Sequence, residues 1–226
     1  MKAAYAFELS KVKDEAIRQR VIDRVLVNID QDLANFVANE LGLKVSAKAE
    51  NTKASQIKTS EKLSIEAFPA PDIKQRKIAV LVHDGANATS VNAVKDWASS
   101  ENAVAEVLAP NAAPVKAKDG KQIAVDGRQD GEPSVTYDAV VVIDGDNLDQ
   151  FKADGVAKHY VLETYKHLKP IYFIDDKAAL MEFLGLYPDD TLFSSKAFKD
   201  KQTDFKQAIQ NHRLWAREEK IASIPA

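Results

Sequence analysis

The sequence predicts an α/β protein: a doubly wound, mostly parallel sheet with a β-hairpin insertion, preceded by two helices and a long linker. Three observations carry that prediction. Runs made almost entirely of apolar residues, KIAVLV from Lys77, YDAVVVI at 137–143 and PIYFI at 170–174, have the length and β-branched content of strands buried on both faces. Between and after them, 88–100, 156–167 and 176–184 carry helical periodicity. Such alternation calls for parallel neighbours, right-handed crossovers and helices on both sides of the sheet.

Residues 1–43 form a helical segment. Ile17, Val21 and Val25 recur four apart, and Leu33, Val37 and Leu41 do the same, so each of two short helices has one apolar stripe. Asp30 stands where it can cap the second helix, and Gly42 is free to adopt the left-handed conformation after it. Two helices cannot bury both stripes alone, so this segment needs a surface to dock on. Residues 44–75, rich in Lys, Ser, Thr and Ala, show no sustained period and read as an extended linker wrapping a surface, with Leu63, Ile65 and Phe68 pinning its far end. The α/β domain then fills 76–226. Its second strand is AVAEVLA at 103–109, and Asp119-Gly120 between alternating segments marks the hairpin. LFSS at 192–195 reads as a short edge strand. A last helix over 203–217 places Phe205, Ile209, His212 and Trp215 along one side.

Composition narrows the chemistry. With 226 residues, 45% hydrophobic and 29% charged, the chain is long enough for one good core and an appendage. No stretch approaches the roughly 18–20 apolar residues of a membrane span, and the first residues lack the apolar run of a secretory signal, so a cytoplasmic location and no membrane partner are expected. A net charge of -3 spread over interspersed acids and bases gives no basic patch for nucleic acid. The chain has no cysteine, which removes disulfides, thiolate metal sites and every cysteine-nucleophile mechanism.

In doubly wound folds ligands gather at the carboxyl ends of the strands. Those ends read His83-Asp84-Gly85, Asp144-Gly145-Asp146 and Asp175-Asp176. Read chemically, converging carboxylates hold Mg²⁺. Read structurally, Asp and Gly end strands and cap the next helix. His83, His159, His167 and His212 show no metal-ligand spacing, and no metal site is predicted. There is no G-x-S-x-G elbow and no glycine-rich phosphate loop. Trp97, Trp215, Tyr160 and Tyr165 fall on helix faces and read as core. A crevice near His83, Asp84 and Asp175 is the expected place for any small regulatory ligand.

The run from KIAVLVHDGA through YDAVVVIDG to KHLKPIYFIDD resembles the class I glutamine amidotransferase and DJ-1/PfpI group of flavodoxin-like domains. That resemblance implies that the group's catalytic cysteine position falls at Asp175, the histidine that often follows it at Asp176, and the acidic partner near Ser90. The nucleophile is replaced, so the group's activities are not expected. A second resemblance spans nearly the whole chain. FELSKV at 7–12, the IRQRV and NIDQDLA helices, YKHLKPI at 165–171, NHRLWAR at 211–217 and the ending KIASIPA are similar, in order, to the C-terminal portion of large-subunit haem catalases. It implies that haem belongs to a core outside this chain, since nothing here matches the R-x-x-x-Y ligand motif. This chain would then be no enzyme and carry no cofactor. Its implied partners are the parent catalase core and its tetramer, which it stabilises. Released, it would act as an ATP-independent holdase chaperone for partly unfolded client proteins. The alternative is a Mg²⁺-dependent or hydrolytic enzyme using Asp84, Asp144, Asp146, Asp175 and Asp176.

Overall fold

The structure, a computed structural model, describes residues 1–50, 58, 60–64, 67–143, 148–174 and 178–225. The chain divides into two compact units, Met1–Leu63 and Ser64–Ala226.

The first unit is helical. Helix α1 (Lys2–Ser10) precedes α2 (Glu15–Val21), which runs through a wider helical turn, Ile22–Leu26, into α3 (Val27–Ile29); α4 (Gln31–Glu40) follows. The Asp30 carboxylate accepts from Leu33 N–H at 2.7 Å and starts α4, and Gly42 ends it at φ +68°, both as the sequence predicts. Helix α1 is missing from the sequence-based reading because its apolar residues follow no clean period and only Ala6 is buried. The predicted stripe on the preceding helix is corrected too. The wider turn shifts the helical phase, so Ile22, Leu26 and Val27 are buried while Ile17 and Val25 are exposed. These pack with Leu33, Ala34, Val37 and Ala38 into a small core. The start of the predicted linker is ordered against it: Leu43, Val45, Ala47 and Ala49 alternate onto this core, and Asp23 accepts hydrogen bonds from Ser46 and Ala47 N–H. Leu63 and Phe68 are exposed and pin nothing; Ile65 lies outside the described residues.

The second unit is the α/β domain. Strands β1 (Lys77–Val82), β2 (Val104–Ala109), β5 (Gly127–Arg128), β6 (Ala139–Ile143), β7 (Ile171–Ile174) and β8 (Leu192–Ser195) form one parallel sheet in the order β5-β2-β1-β6-β7-β8. The chain winds outward from β1 in one direction and returns through β6 in the other, which makes the sheet doubly wound and flavodoxin-like. Helices α5 (Ala88–Ser100), α6 (Asp149–Ala153), α7 (Gly155–Lys166), α8 (Ala178–Phe183) and α9 (Gln202–Gln210) surround it. The predicted hairpin is β3 (Val115–Lys116) with β4 (Gln122–Ile123), antiparallel, turning at Gly120 with φ +83°.

The apolar runs are continuous because both faces are buried. From β1, Ile78, Val80 and Val82 enter one core with Trp97, Tyr172, Phe193, Phe198 and Phe205, while Ala79 and Leu81 enter the other with Tyr160, Val161, Tyr165 and Phe173. Ring centroids of 4.9 Å for Trp97–Phe198 and 5.4 Å for Tyr172–Phe205 knit the first core. Among the described residues no helix is long and apolar enough to cross a membrane.

Three details depart from expectation. Strand β5 and helix α6, two and five residues long, are too short to leave a periodic signal. The last helix stops at Gln210: His212 adopts φ +68°, and the chain turns so that Leu214 N–H donates to Leu168 O at 2.9 Å. His212 and Trp215 are therefore exposed rather than extending the Phe205 and Ile209 stripe.

Candidate functional site

At the carboxyl edge of the sheet the order reverses between β1 and β6, and His83 follows β1 there. Its ring is buried, with Nε2 3.0 Å from Asp154 Oδ2 and the ring edge-on to Phe151 at 6.0 Å. The same Asp154 caps α7, its Oδ1 accepting from Val156 and Ala157 N–H at 2.8 and 3.1 Å. Asp154 was not singled out from the sequence, although Asp154-Gly155 before an apolar-periodic run is a helix-start signal. Asp84 is exposed and its Oδ1 accepts from Lys116 N–H at 2.8 Å, while Gly85 N–H donates to Lys116 O at 2.7 Å. It thus fastens the hairpin to the end of β1. Ser90 is buried in the first turn of α5, its N–H donating to the cap Asn87 at 3.3 Å. Asp144, Asp146, Asp175 and Asp176 lie outside the described residues. Among the described residues no cluster of three or more His, Cys, Asp or Glu is arranged to hold a metal.

At the amino edge, sequence reasoning found no site, yet the buried charges gather there. Lys169, just before β7, is 2% exposed and donates from Nζ to the carbonyls of Ser134, Val135 and Tyr137 at 3.1, 2.8 and 2.5 Å. Burial, with a smaller contribution from Arg213, pushes its amine down to about 8. Arg217 is 1% exposed. Its guanidinium grips Asp189 through Nε at 2.7 Å and Nη2 at 2.9 Å, donates to Thr191 Oγ1 and to the carbonyls of Tyr165 and Lys169, and stacks 4.1 Å over the Tyr165 ring. Burial is the largest influence and works against the Asp189 charge, but the hydrogen bonds and charge of Arg217 together with the hydrogen bonds from Thr191 outweigh it and hold the carboxyl below its ordinary range. Arg76 and Lys77 N–H meet Asp138 before β6 at 2.8 and 2.9 Å. Arg217 ties strand starts to the C-terminal tail, Lys169 and Arg76 tie strand starts to one another, and each donor already serves acceptors of this chain.

The remaining histidines are dispersed. His159 and His167 stand on α7 and at its end, His159 exposed and His167 3.4 Å from Glu163. Trp97, Tyr160 and Tyr165 are buried core residues as expected.

Residues 74–219 match the family model described as the C-terminal domain found in long catalases. The chain is 41% identical over 225 residues to Catalase HPII of Pseudomonas aeruginosa, covering 99% of this chain and 32% of that protein. It is 34% identical over 227 residues to Catalase-B of Dictyostelium discoideum, covering 99% of this chain and 33% of that one. Against Catalase-2 of Bacillus subtilis the figures are 31% identity, 95% and 31%. The chain thus spans about a third of the length of the curated relatives it matches.

Proposed function

The chain belongs to the family of C-terminal domains found in long catalases, and from that premise we propose that it is a noncatalytic unit stabilising the tetramer of a parent catalase. The observation that carries this reading is where its buried charge goes. Arg217 and Lys169 are spent on the domain's own carbonyls and carboxylate at the amino edge, away from the edge where ligands of such folds gather. Peroxide chemistry and haem, on this reading, belong to the part of the relatives' length that this chain does not span. A catalase core is the partner that the exposed Phe7, Val25 and Ile29 of the helical unit would meet.

Exposed apolar side chains also support a holdase activity of the free chain, binding partly unfolded proteins without ATP. Light scattering of an unrelated heat-aggregating enzyme tests it. An equimolar amount of the chain should suppress scattering, and Phe7→Ser with Ile29→Ser should reduce that protection. Unchanged scattering with the unaltered chain removes the chaperone role. The stabilising role has its own test: removing the corresponding portion from a long catalase should lower the temperature at which its subunits dissociate while leaving initial peroxide turnover in place.

A further inference from the structure

A cleft of about 510 Å³ opens on one face of the sheet, between α7 and residues 129–135. It lies within the range of roughly 300–1,000 Å³ typical of small-molecule sites. It is distinct from the crevice at the carboxyl edge where the sequence directs attention. Pro133, Val135, Val156 and the Tyr160 ring give it an apolar wall. Two further features distinguish that wall. The Tyr160 hydroxyl and the Gln129 amide oxygen are buried and without a hydrogen-bond partner, and only one other side-chain atom among the described residues shares that state, Arg18 Nε in the other unit.

An unpaired buried polar atom costs about 1–3 kcal/mol, so two on the wall of one cleft call for a physical reason. The Gln129 amide is oriented by its Nε2, which faces Leu108 O at 3.5 Å, so its oxygen remains to accept from elsewhere. Burial first, then nearby Glu132 and Glu106, raise the Tyr160 hydroxyl well above the ordinary tyrosine range, which keeps it protonated and able to donate. One group is left to accept and one to donate. Carboxylates stand beside the cleft: Asp130, paired with Arg128 at 2.5 Å, Glu163, paired with Lys166 at 3.8 Å, and Glu132 near the Tyr160 hydroxyl. These carboxylates disfavour an anion.

We propose that this cleft binds a small neutral molecule with a compact apolar body and a hydrogen-bonding head of the primary-amide type, which donates to Gln129 and accepts from Tyr160. Both polar atoms are closed to solvent, so the head must displace side chains of the wall to reach them, and the body fills the open part of the cleft.

Ligand-observed NMR titration of the chain tests this with benzamide, against toluene for the apolar body alone and benzoate for the charged head. Benzamide is expected to bind about tenfold more tightly than either, the worth of one well-made hydrogen bond. Tyr160→Phe should erase most of that preference without lowering the thermal midpoint of the free chain, because it deletes an unpaired hydroxyl. Val156→Trp, at an exposed position on the wall, should block all three probes; His159→Trp serves as a second obstructing variant if the first does not fold. Equal binding of benzamide and toluene, a preference that survives Tyr160→Phe, binding indifferent to the obstructing tryptophans, or no binding of benzamide would each overturn the proposal. A Tyr160→Phe chain that melts lower would assign the hydroxyl to a bridging water and overturn it as well.

Discussion

The two edges of the parallel sheet are built on different terms. At the carboxyl edge Asp154 caps a helix and meets His83 across 71 residues, and Asp84 fastens a hairpin 32 residues on. At the amino edge, Arg217 reaches across 28 residues to Asp189 and 52 to Tyr165, and Lys169 reaches back 35 to Ser134. Both edges join distant segments, but the amino edge does so with a lysine and an arginine that are almost fully buried, and the carboxyl edge with a helix cap and an exposed aspartate. The fold therefore concentrates its electrostatic cost at the edge opposite the one used for chemistry in its relatives by topology. That is the arrangement expected of a domain whose task is to hold shape.

The largest effect that would sharpen this contrast is at Arg217. Arg217→Met leaves the Asp189 carboxylate, 10% exposed, without its counter-charge and should destabilise the domain by about 3–5 kcal/mol in urea unfolding. Arg217→Lys should recover little, because an ammonium cannot reproduce the two-pronged grip. Pairing Arg217→Met with Asp189→Leu should recover much of the loss, since no charge is then stranded. The same pair sets an acid limit. Asp189 titrates below its ordinary 3.8 in the folded chain, so its contribution is fully present above that value and is lost as pH falls through the lowered folded value. If Arg217→Met melts like the unaltered chain, the amino edge is not the structural key and the comparison fails.

Lys169 comes next, with a pH dependence of the same sign but in the alkaline range. Lys169→Met removes the donor shared by three carbonyls and should cost about 1–3 kcal/mol near neutral pH. An unperturbed lysine titrates at 10.5 and this one at about 8, so between those values the unfolded chain holds a proton that the folded chain has released. Stability should therefore rise as pH climbs from about 8 towards 10.5, and that rise should vanish in Lys169→Met. Chemical denaturation at several pH values reads both effects.

The sheet was readable in the sequence because burial on both faces writes itself as unbroken apolar runs, as at 77–82 and 139–143. Capping chemistry was equally plain at Asp30, Gly42 and Gly120. What stayed hidden has a physical reason in each case. The i→i+5 turn at Ile22–Leu26 shifts the helical phase, so a period-of-four search picks the exposed stripe. Two-residue strands leave no period. Lys169 and Arg217 look like ordinary surface charges, and nothing local marks them as buried, because their partners are supplied by the topology. The unpaired Gln129 and Tyr160 atoms are likewise invisible until residues 129–135 are laid against α7.

The smallest expected effect is at the carboxyl edge, and it separates a cap from a charge. Asp154 does two things, accepting from two N–H groups at the start of α7 and facing His83. Asp154→Ala removes both and should cost about 1 kcal/mol, the usual worth of a helix cap. Asp154→Asn keeps an oxygen for the backbone donors, which asparagine caps as well as aspartate, and should stay within about 0.5 kcal/mol of the unaltered chain. Should Asp154→Asn instead cost several kcal/mol in urea unfolding, the His83–Asp154 pair depends on its charge as the Arg217–Asp189 pair does. The carboxyl edge would then be keyed by buried charge too, and the assignment of shape-holding to the amino edge alone would have to be given up.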